Sequence, residues 1–146
     1  GHLQSNKVRD AVKIFDLIHS VDSIGLAKEI NKQADRIGKV QDLLLEVKTS
    51  LEVSKFGFAP EKISEACGSI LKLNNIRVRG LMTIAPRTYN PVEARPYFAA
   101  LRRLRDSLDS SWLLSMGMSD DFEVAIEEGA NFIRVGTAIF NSLLSP

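Results

Sequence analysis

The sequence predicts an α/β fold in which helices cover a sheet of parallel strands. Short apolar runs alternate with segments of helical periodicity along most of the 146 residues, a pattern typical of parallel strands joined by right-handed crossovers. Two architectures fit this pattern: an open doubly wound sheet, and consecutive units of a (β/α)8 barrel. Two observations favour the barrel. Turns suited to phosphate binding follow the last two predicted strands, and the first strand-to-helix turn, 20–22, lacks the glycines of a dinucleotide fold.

The first half of the chain supplies two predicted strands. A short N-terminal helix precedes a strand at 15–20. Asp22 or Ser23 then begins a helix whose apolar residues follow steps of three and four, and Gly38 ends it. The second strand, 43–47, is an unbroken apolar run, as expected for a parallel strand that is covered on both faces.

The second half of the chain alternates in the same way. Pro60 suits the first turn of a helix, whereas Pro96 would break a helix from inside, so a turn at 91–95 is predicted before the main helix. From Pro60 onward the predicted order is a helix to 70, a strand at 78–84, that turn, a helix at 96–108, a strand at 112–115, a helix at 119–128, a strand at 132–135 and a last helix from Thr137.

Composition excludes several classes of protein. A hydrophobic content of 45% and a charged content of 25% are ordinary for a soluble globular protein, and residues 1–146 are predicted to form one α/β domain. The net charge of +1 and the lack of a basic run give no case for nucleic-acid binding. No apolar run approaches the roughly 20 residues of a membrane span, and no signal peptide is visible, so we expect a cytoplasmic or organelle-matrix protein without membrane partners.

Reactive side chains are few. Cys67 is the single cysteine and lies on the apolar side of a predicted helix, where a small core residue is expected. The two histidines are far apart in the sequence and have no other ligand at a suitable spacing, so no zinc site is predicted. Neither a P-loop nor a nucleophile elbow occurs. These absences leave the two turns as the main functional signal.

The two turns carry the pattern of an anion site. Ser119 and Thr137 stand where helices are predicted to begin, and the N–H groups at a helix start bind anions. Gly117 and Gly136 let the backbone approach a ligand. Adjacent parallel strands would bring both turns to one phosphate, although the two hydroxyls would also suit simple helix caps. The acidic pair 120–121 would repel a phosphate, so these side chains are expected to point outward.

Six stretches, in order and at compatible spacing, together resemble one family, the pyridoxal phosphate homeostasis proteins, whose barrel is like the N-terminal domain of alanine racemase. The chain looks like the last two-thirds of such a protein, about strands 4–8 of the barrel. The stretches are GHLQSNK at 1–7, IHSVDS at 18–23, SKFG at 54–57, GLMTI at 80–84, LSMGMSDD at 114–121 and RVGTAIF at 134–140.

The resemblance implies a function and names the residues for it. The family stores pyridoxal 5′-phosphate (PLP) and delivers it without turnover, so the expected partners are PLP and PLP-dependent apoenzymes. Ser119 and 136–137 would bind the phosphate, with Ser115 and Met118 as further contacts. Arg134 would face the pyridine nitrogen, and an arginine, which keeps its proton, would leave that nitrogen unprotonated and favour binding over carbanion chemistry.

Other positions are weaker candidates or depart from the family. His2, Asn6 and His19 lie in family motifs near the barrel mouth. The family's Schiff-base lysine lies on the first barrel strand, which would precede Gly1 and is absent from this chain. Lys48 replaces a family asparagine, and its amine would reach the cofactor's aldehyde only if its strand ends at the mouth; a solvated lysine is the simpler expectation.

Two alternatives to a homeostasis protein remain open. One is a racemase-like PLP enzyme that uses the same phosphate site, although racemases of this fold carry a second, β-rich domain with a catalytic tyrosine, and nothing similar follows Phe140. The residues at 141–143 also depart from the family. The other alternative is a non-functional fragment whose open sheet edges promote self-association.

Overall fold

The computed structural model describes residues 1–50 and 56–140, and in them the predicted parallel sheet is present. Five strands lie in sequential order and curl into part of a barrel, and every neighbouring pair is parallel. A doubly wound sheet would reverse its strand order at a switch point, so the barrel prediction is confirmed. The strands are β1 Leu17–Val21, β2 Gln41–Glu46, β3 Ile76–Met82, β4 Leu113–Met118 and β5 Phe132–Arg134.

Helices connect the strands at the predicted places. None of those in the described ranges is long and apolar enough to cross a membrane. Short 3-10 turns at Ser5–Lys7, Pro60–Lys62 and Pro91–Ala94 precede three of them. The helices are α1 Val8–Ile14, α2 Ile24–Asp35, α3 Ile63–Ile70, α4 Arg95–Leu108, α5 Phe122–Glu127 and α6 Thr137–Phe140.

Local sequence signals explain where several helices begin and end. The Ser23 hydroxyl accepts a hydrogen bond from the Leu26 backbone N–H at 3.3 Å and caps α2. Gly38, at φ +63°, follows the end of this helix. Pro96 lies in the first turn of α4, where its missing N–H is harmless. The turn-then-helix prediction for this region is therefore confirmed.

The hydrophobic core lies between the helices and the outer face of the sheet. Leu43 and Leu45 of β2 belong to it, together with Phe98 and Leu101 of α4, and all four are fully buried. Cys67 also packs into this core, and burial raises the pKa of its thiol. The cysteine is therefore a core residue, as its position in the sequence predicts.

The inner face of the sheet carries charged side chains. Because side chains alternate along a strand, Asp42 and Glu46 of β2 lie opposite the core residues. Asp42 contacts Arg77 and Arg79 of β3 at 3.9 and 3.6 Å, and all three are at least partly exposed. Glu46 is only 5% exposed. Its burial, and then the charge of Asp22, raise the pKa of the Glu46 carboxyl, although the charges of His2 and Arg134 oppose this.

The sheet has two edges in the described part of the chain. β1 pairs only with β2, and β5 pairs only with β4. Phe132 and Ile133 on β5 are 38% and 39% exposed. Unpaired strands with exposed apolar side chains favour association, so self-association through these edges stays a prediction.

We predict that Gly80→Ala strongly destabilises the chain. A Cβ at Gly80 would lie 1.9 Å from the backbone oxygen of Leu113, where β3 and β4 pair. Backbone cannot move aside as a flexible side chain can, so we expect a loss of about 3 kcal/mol or more in urea unfolding. Gly68→Ala is the matched control, because a Cβ on this α3 residue meets no atom within 4 Å. Equal stabilities of the two variants would contradict the prediction.

We predict that Glu46→Gln stabilises the chain at neutral pH. A raised pKa means that the folded state holds this proton more tightly than the unfolded state, so stability is lost as pH rises above the usual value of 4.5. The glutamine carries no charge and removes that loss. Between about pH 4 and about pH 7, the free energy of unfolding of the variant should increase relative to that of the parent as pH rises. Glu61→Gln, at an exposed position, serves as the control.

Candidate functional site

A cavity of about 380 Å³ lies at the carboxyl ends of β3, β4 and β5. This volume is in the range of roughly 300–1,000 Å³ that is typical of small-molecule sites. Five residues that the sequence singles out line it: Met118, Ser119, Arg134, Gly136 and Thr137. The remaining lining residues are Ile84, Ala85, Pro86, Arg87, Thr88, Asp120 and Asp121. The two predicted turns therefore meet at one cavity.

Two backbone N–H groups converge on a single oxygen in this cavity. The Gly136 and Ala138 N–H groups each donate to the Ser119 hydroxyl at 3.2 Å. Thr137, between them, begins α6 as predicted. Gly136 leaves space at this point, because a Cβ added there would meet no atom within 4 Å. The turn after β5 therefore forms a cradle that is open at Gly136, and two of its N–H groups hold the Ser119 hydroxyl.

The structure corrects the prediction for Ser119. A helix was expected from this residue, with Ser119 as its cap, but α5 begins at Phe122 and β4 continues to Met118. The cause is Asp121, whose Oδ1 accepts the Met118 N–H at 2.6 Å and fixes a tight turn before the helix. The Ser119 hydroxyl therefore serves the start of α6 on the neighbouring βα unit.

The two acidic residues of this turn differ from each other. Asp120 is exposed, as predicted, and lies 3.6 Å from Arg87. Asp121 was also expected to point outward, and that prediction is wrong, because the residue is only 9% exposed and accepts the Met118 N–H. A backbone donor and the nearby Arg134 charge compensate for the burial of this carboxylate. Asp121 thus lines the cavity and fixes the turn after β4.

Arg134 forms the inner wall of the cavity. Its Nη1 donates to the Ser115 hydroxyl at 2.7 Å, and its Nη2 donates to the Thr83 carbonyl oxygen at 2.8 Å. Burial lowers the pKa of Arg134, while the carboxylates of Glu46 and Asp121 oppose that effect. An arginine keeps its proton even so. The guanidinium is therefore a fixed cation, and about three of its five N–H donors are not used by these two bonds.

Ser115 connects Arg134 to His19. The Ser115 side chain is fully buried, and its hydroxyl lies 2.9 Å from His19 Nδ1. The His19 ring meets the edge of Phe132 with centroids 5.3 Å apart. Burial first, and the charge of Arg134 second, lower the pKa of His19 from its usual 6.5. Ser115 therefore contacts Arg134, and His19 contacts Ser115, but neither side chain lines the first cavity.

A second cavity of about 370 Å³ lies on the other side of Arg134. His2 and His19 line it, together with apolar residues of α1 and β1. His2 contacts Asp22 at 2.9 Å and stacks on Phe56 with centroids 3.8 Å apart. The structure thus places both histidines beside Arg134 but outside the phosphate turns.

Two sequence candidates lie outside both cavities. Asn6 is exposed in the turn Ser5–Lys7 and lines neither of them. Lys48 lies two residues beyond the end of β2, and its backbone N–H donates to the Phe58 carbonyl. It lines neither cavity either, which fits the simpler expectation of a solvated lysine. The motif residues 54–55 and the divergent tail 141–143 lie outside the described ranges.

The sequence did not identify Thr83, Glu46 or Asp121 as parts of the site. Thr83 is fully buried; its hydroxyl donates to the Val47 carbonyl at 2.8 Å, and its own carbonyl holds Arg134. Thr83 belongs to the stretch GLMTI at 80–84, but nothing in that stretch indicates that its backbone carbonyl binds an arginine. The sequence did contain a signal for Glu46, because a carboxylate at the end of a run of buried apolar residues is rarely buried unless it is paired.

Comparison with known proteins agrees with the fold. The sequence model of the alanine racemase N-terminal domain matches residues 1–143. A pyridoxal phosphate homeostasis protein of Aquifex aeolicus is 49% identical over 145 residues, which cover 96% of this chain and 64% of the relative. The chain therefore spans just under two thirds of that relative's length.

Solved structures agree as well. PipY of Synechococcus elongatus, solved with PLP bound, superposes with a TM-score of 0.86 at 39% identity, over 96% of this chain and 68% of PipY. An alanine racemase of Clostridium difficile shares the fold with a TM-score of 0.75 at 17% identity, over 96% of this chain and 40% of the racemase. This chain therefore belongs to the alanine racemase N-terminal domain family, in its group of pyridoxal phosphate homeostasis proteins.

Proposed function

We propose that this chain binds pyridoxal 5′-phosphate in the first cavity, with the phosphate on the turns after β4 and β5. The observation that carries the proposal is the convergence of the Gly136 and Ala138 N–H groups on the Ser119 hydroxyl, in a cavity that the half-buried Arg134 also lines. A fixed cation beside two convergent donors suits an anionic aromatic ligand. The PLP-bound relative PipY supports the same ligand.

The phosphate end of the site is built from neutral donors. The Ser119 hydroxyl accepts both N–H groups, so its own proton is available to a phosphate oxygen. The Thr137 hydroxyl at the start of α6 is a second donor, and the open space at Gly136 lets the phosphate approach the backbone. Arg87 at the rim is already paired with Asp120. In this arrangement the two hydroxyls donate to the phosphate, and the two backbone N–H groups hold the Ser119 oxygen in place.

The ring end of the site depends on Arg134. When bound, PLP supplies an aldehyde and a pyridine ring that accepts electrons best with a protonated nitrogen. Arg134 donates hydrogen bonds and cannot transfer its proton to that nitrogen. Ser115 and Thr83 fix the direction of the guanidinium. These residues therefore hold the ring and do not activate it, which favours storage over catalysis.

We extend the proposal to the intact protein. Its role would be to store PLP and deliver it to PLP-dependent apoenzymes, without turnover of its own. The names of the relatives and the arginine at the ring position support this role. A racemase-like enzyme is the alternative. It predicts exchange of alanine enantiomers in the presence of PLP, whereas the proposal predicts none, and a chiral assay of alanine distinguishes the two.

The test of binding uses pyridoxine 5′-phosphate, which has the ring and the phosphate but no aldehyde that surface lysines could capture. Equilibrium dialysis should show binding that inorganic phosphate displaces competitively, and pyridoxine without the phosphate should bind at least about tenfold more weakly. Binding that phosphate does not displace would place the ligand elsewhere and contradict the proposal.

We predict that Ser119→Ala combined with Thr137→Val weakens this binding about 100-fold, because each change removes a hydroxyl donor from a charged ligand. Dialysis with the phosphorylated probe measures the loss. Ser107→Ala is the control, because it removes an exposed hydroxyl from α4, away from the cavity. An unchanged affinity of the double variant would show that the two hydroxyls serve only the turns.

We also predict that Gly136→Ala weakens binding of the probe by about tenfold or more without destabilising the chain. In the described part of the chain the added methyl group meets no atom within 4 Å, so we expect a ligand in the cradle to be what it contacts. Calorimetric titration measures affinity, and urea unfolding measures stability. Gly25→Ala, on α2 and equally uncrowded, is the matched control. If Gly136→Ala bound the probe as tightly as the parent, the phosphate would not bind at this turn.

A further inference from the structure

Three strands are joined by one chain of side-chain hydrogen bonds at the inner wall of the site. His19 on β1 lies 2.9 Å from the Ser115 hydroxyl on β4, and that hydroxyl lies 2.7 Å from Arg134 on β5. Ser115 is fully buried, so no solvent replaces these partners. The hydroxyl of Ser115 is therefore shared between an imidazole and a guanidinium.

The direction of each bond in this chain follows from the donors. An arginine can only donate, so the Ser115 oxygen accepts from Arg134. Since His19 Nδ1 is the other polar atom within reach, the arrangement that gives the Ser115 proton an acceptor directs it to Nδ1. Nδ1 must be unprotonated to accept it, which leaves the proton of the neutral ring on Nε2. A neutral His19 with a free Nδ1 thus fixes the Ser115 hydroxyl in the orientation that receives Arg134.

We propose that His19 is a positioning residue for PLP binding, which acts through the Ser115 hydroxyl to direct the Arg134 guanidinium at the ring nitrogen. This inference rests on the proposed function of the site. His19 itself faces the second cavity and touches no part of the first. Its effect should therefore appear in contacts to the ring and not in contacts to the phosphate.

The arrangement makes ring binding sensitive to the protonation of His19. A protonated imidazole has no acceptor, so the Ser115 proton would lose its partner and a second cation would face Arg134. Burial and Arg134 already favour the neutral ring, since both lower the pKa of His19. The other titratable side chains whose charges act on Glu46 or Arg134 are His2, Asp22 and Asp121.

The test compares His19→Leu with His19→Asn. Leucine removes the acceptor, whereas the asparagine Oδ1 takes the place of Nδ1 and has no charge to gain. Near neutral pH we expect His19→Leu to bind pyridoxine 5′-phosphate about five- to tenfold more weakly than the parent, and His19→Asn to bind it within about twofold. Both variants should retain the parent's affinity for inorganic phosphate. Urea unfolding checks that both are folded.

A pH series gives the second readout. From about pH 8 to about pH 5 the phosphate ester takes up a proton in every sample, so the ratio of parent to His19→Asn affinity isolates the imidazole. We expect the parent to lose affinity relative to the asparagine variant as pH falls. Nitrogen-15 spectra of His19 should show the proton on Nε2 at neutral pH.

The outcomes separate the two proposals. Failure of the parent chain to bind the probe would contradict the proposed function. If the parent binds, equal ring affinities of the leucine variant and the parent would overturn the role of His19. A proton on Nδ1, or a parallel loss of phosphate affinity in the leucine variant, would overturn it as well.

Discussion

The half-buried guanidinium of Arg134 is the group on which the candidate site depends. Its two hydrogen bonds, to the Ser115 hydroxyl and the Thr83 carbonyl, tie the edge strand β5 to β4 and β3. A buried cation is costly unless it is hydrogen-bonded and compensated by negative charge. The carboxylates of Glu46 and Asp121 partly compensate this cost, although for Glu46 the effect of its own burial is larger than that of the Arg134 charge. The carboxyl ends of the central strands are therefore arranged around one positive group.

The position of Arg134 also separates two environments. On one side are the backbone donors of the turn after β5, and on the other are the imidazoles of His2 and His19. A ligand that bridges a phosphate group and an aromatic nitrogen would use the donors for the first and the arginine for the second. The same fixed proton that makes Arg134 a good hydrogen-bond donor prevents it from activating a ring as an electron sink. Binding and the lack of catalysis thus have one physical origin in the proposal.

Much of the fold follows from local patterns, and the site follows only in part. The apolar runs and the spacing of Pro91 and Pro96 predicted the strands and the start of α4, because these signals act over a few residues. Gly136–Thr137 was also found from its place after a strand. The prediction that Ser119 caps α5 was wrong, because the Asp121 side chain accepts the Met118 N–H and α5 begins three residues later than expected. A hydrogen bond from a backbone N–H to the side chain three residues later has no clear sequence signal.

The sequence by itself determined the class of fold, the order of its elements and the family, because apolar periodicity, glycines and hydroxyl motifs are local properties of the chain. Only the tertiary structure decided which polar groups meet. His19, Ser115 and Arg134 come from three strands far apart in the sequence, and the Ser119 hydroxyl serves a helix on the neighbouring unit. Curling a parallel sheet brings the ends of its strands together, and the hydrogen bonds that form there depend on register and burial, which no local pattern contains.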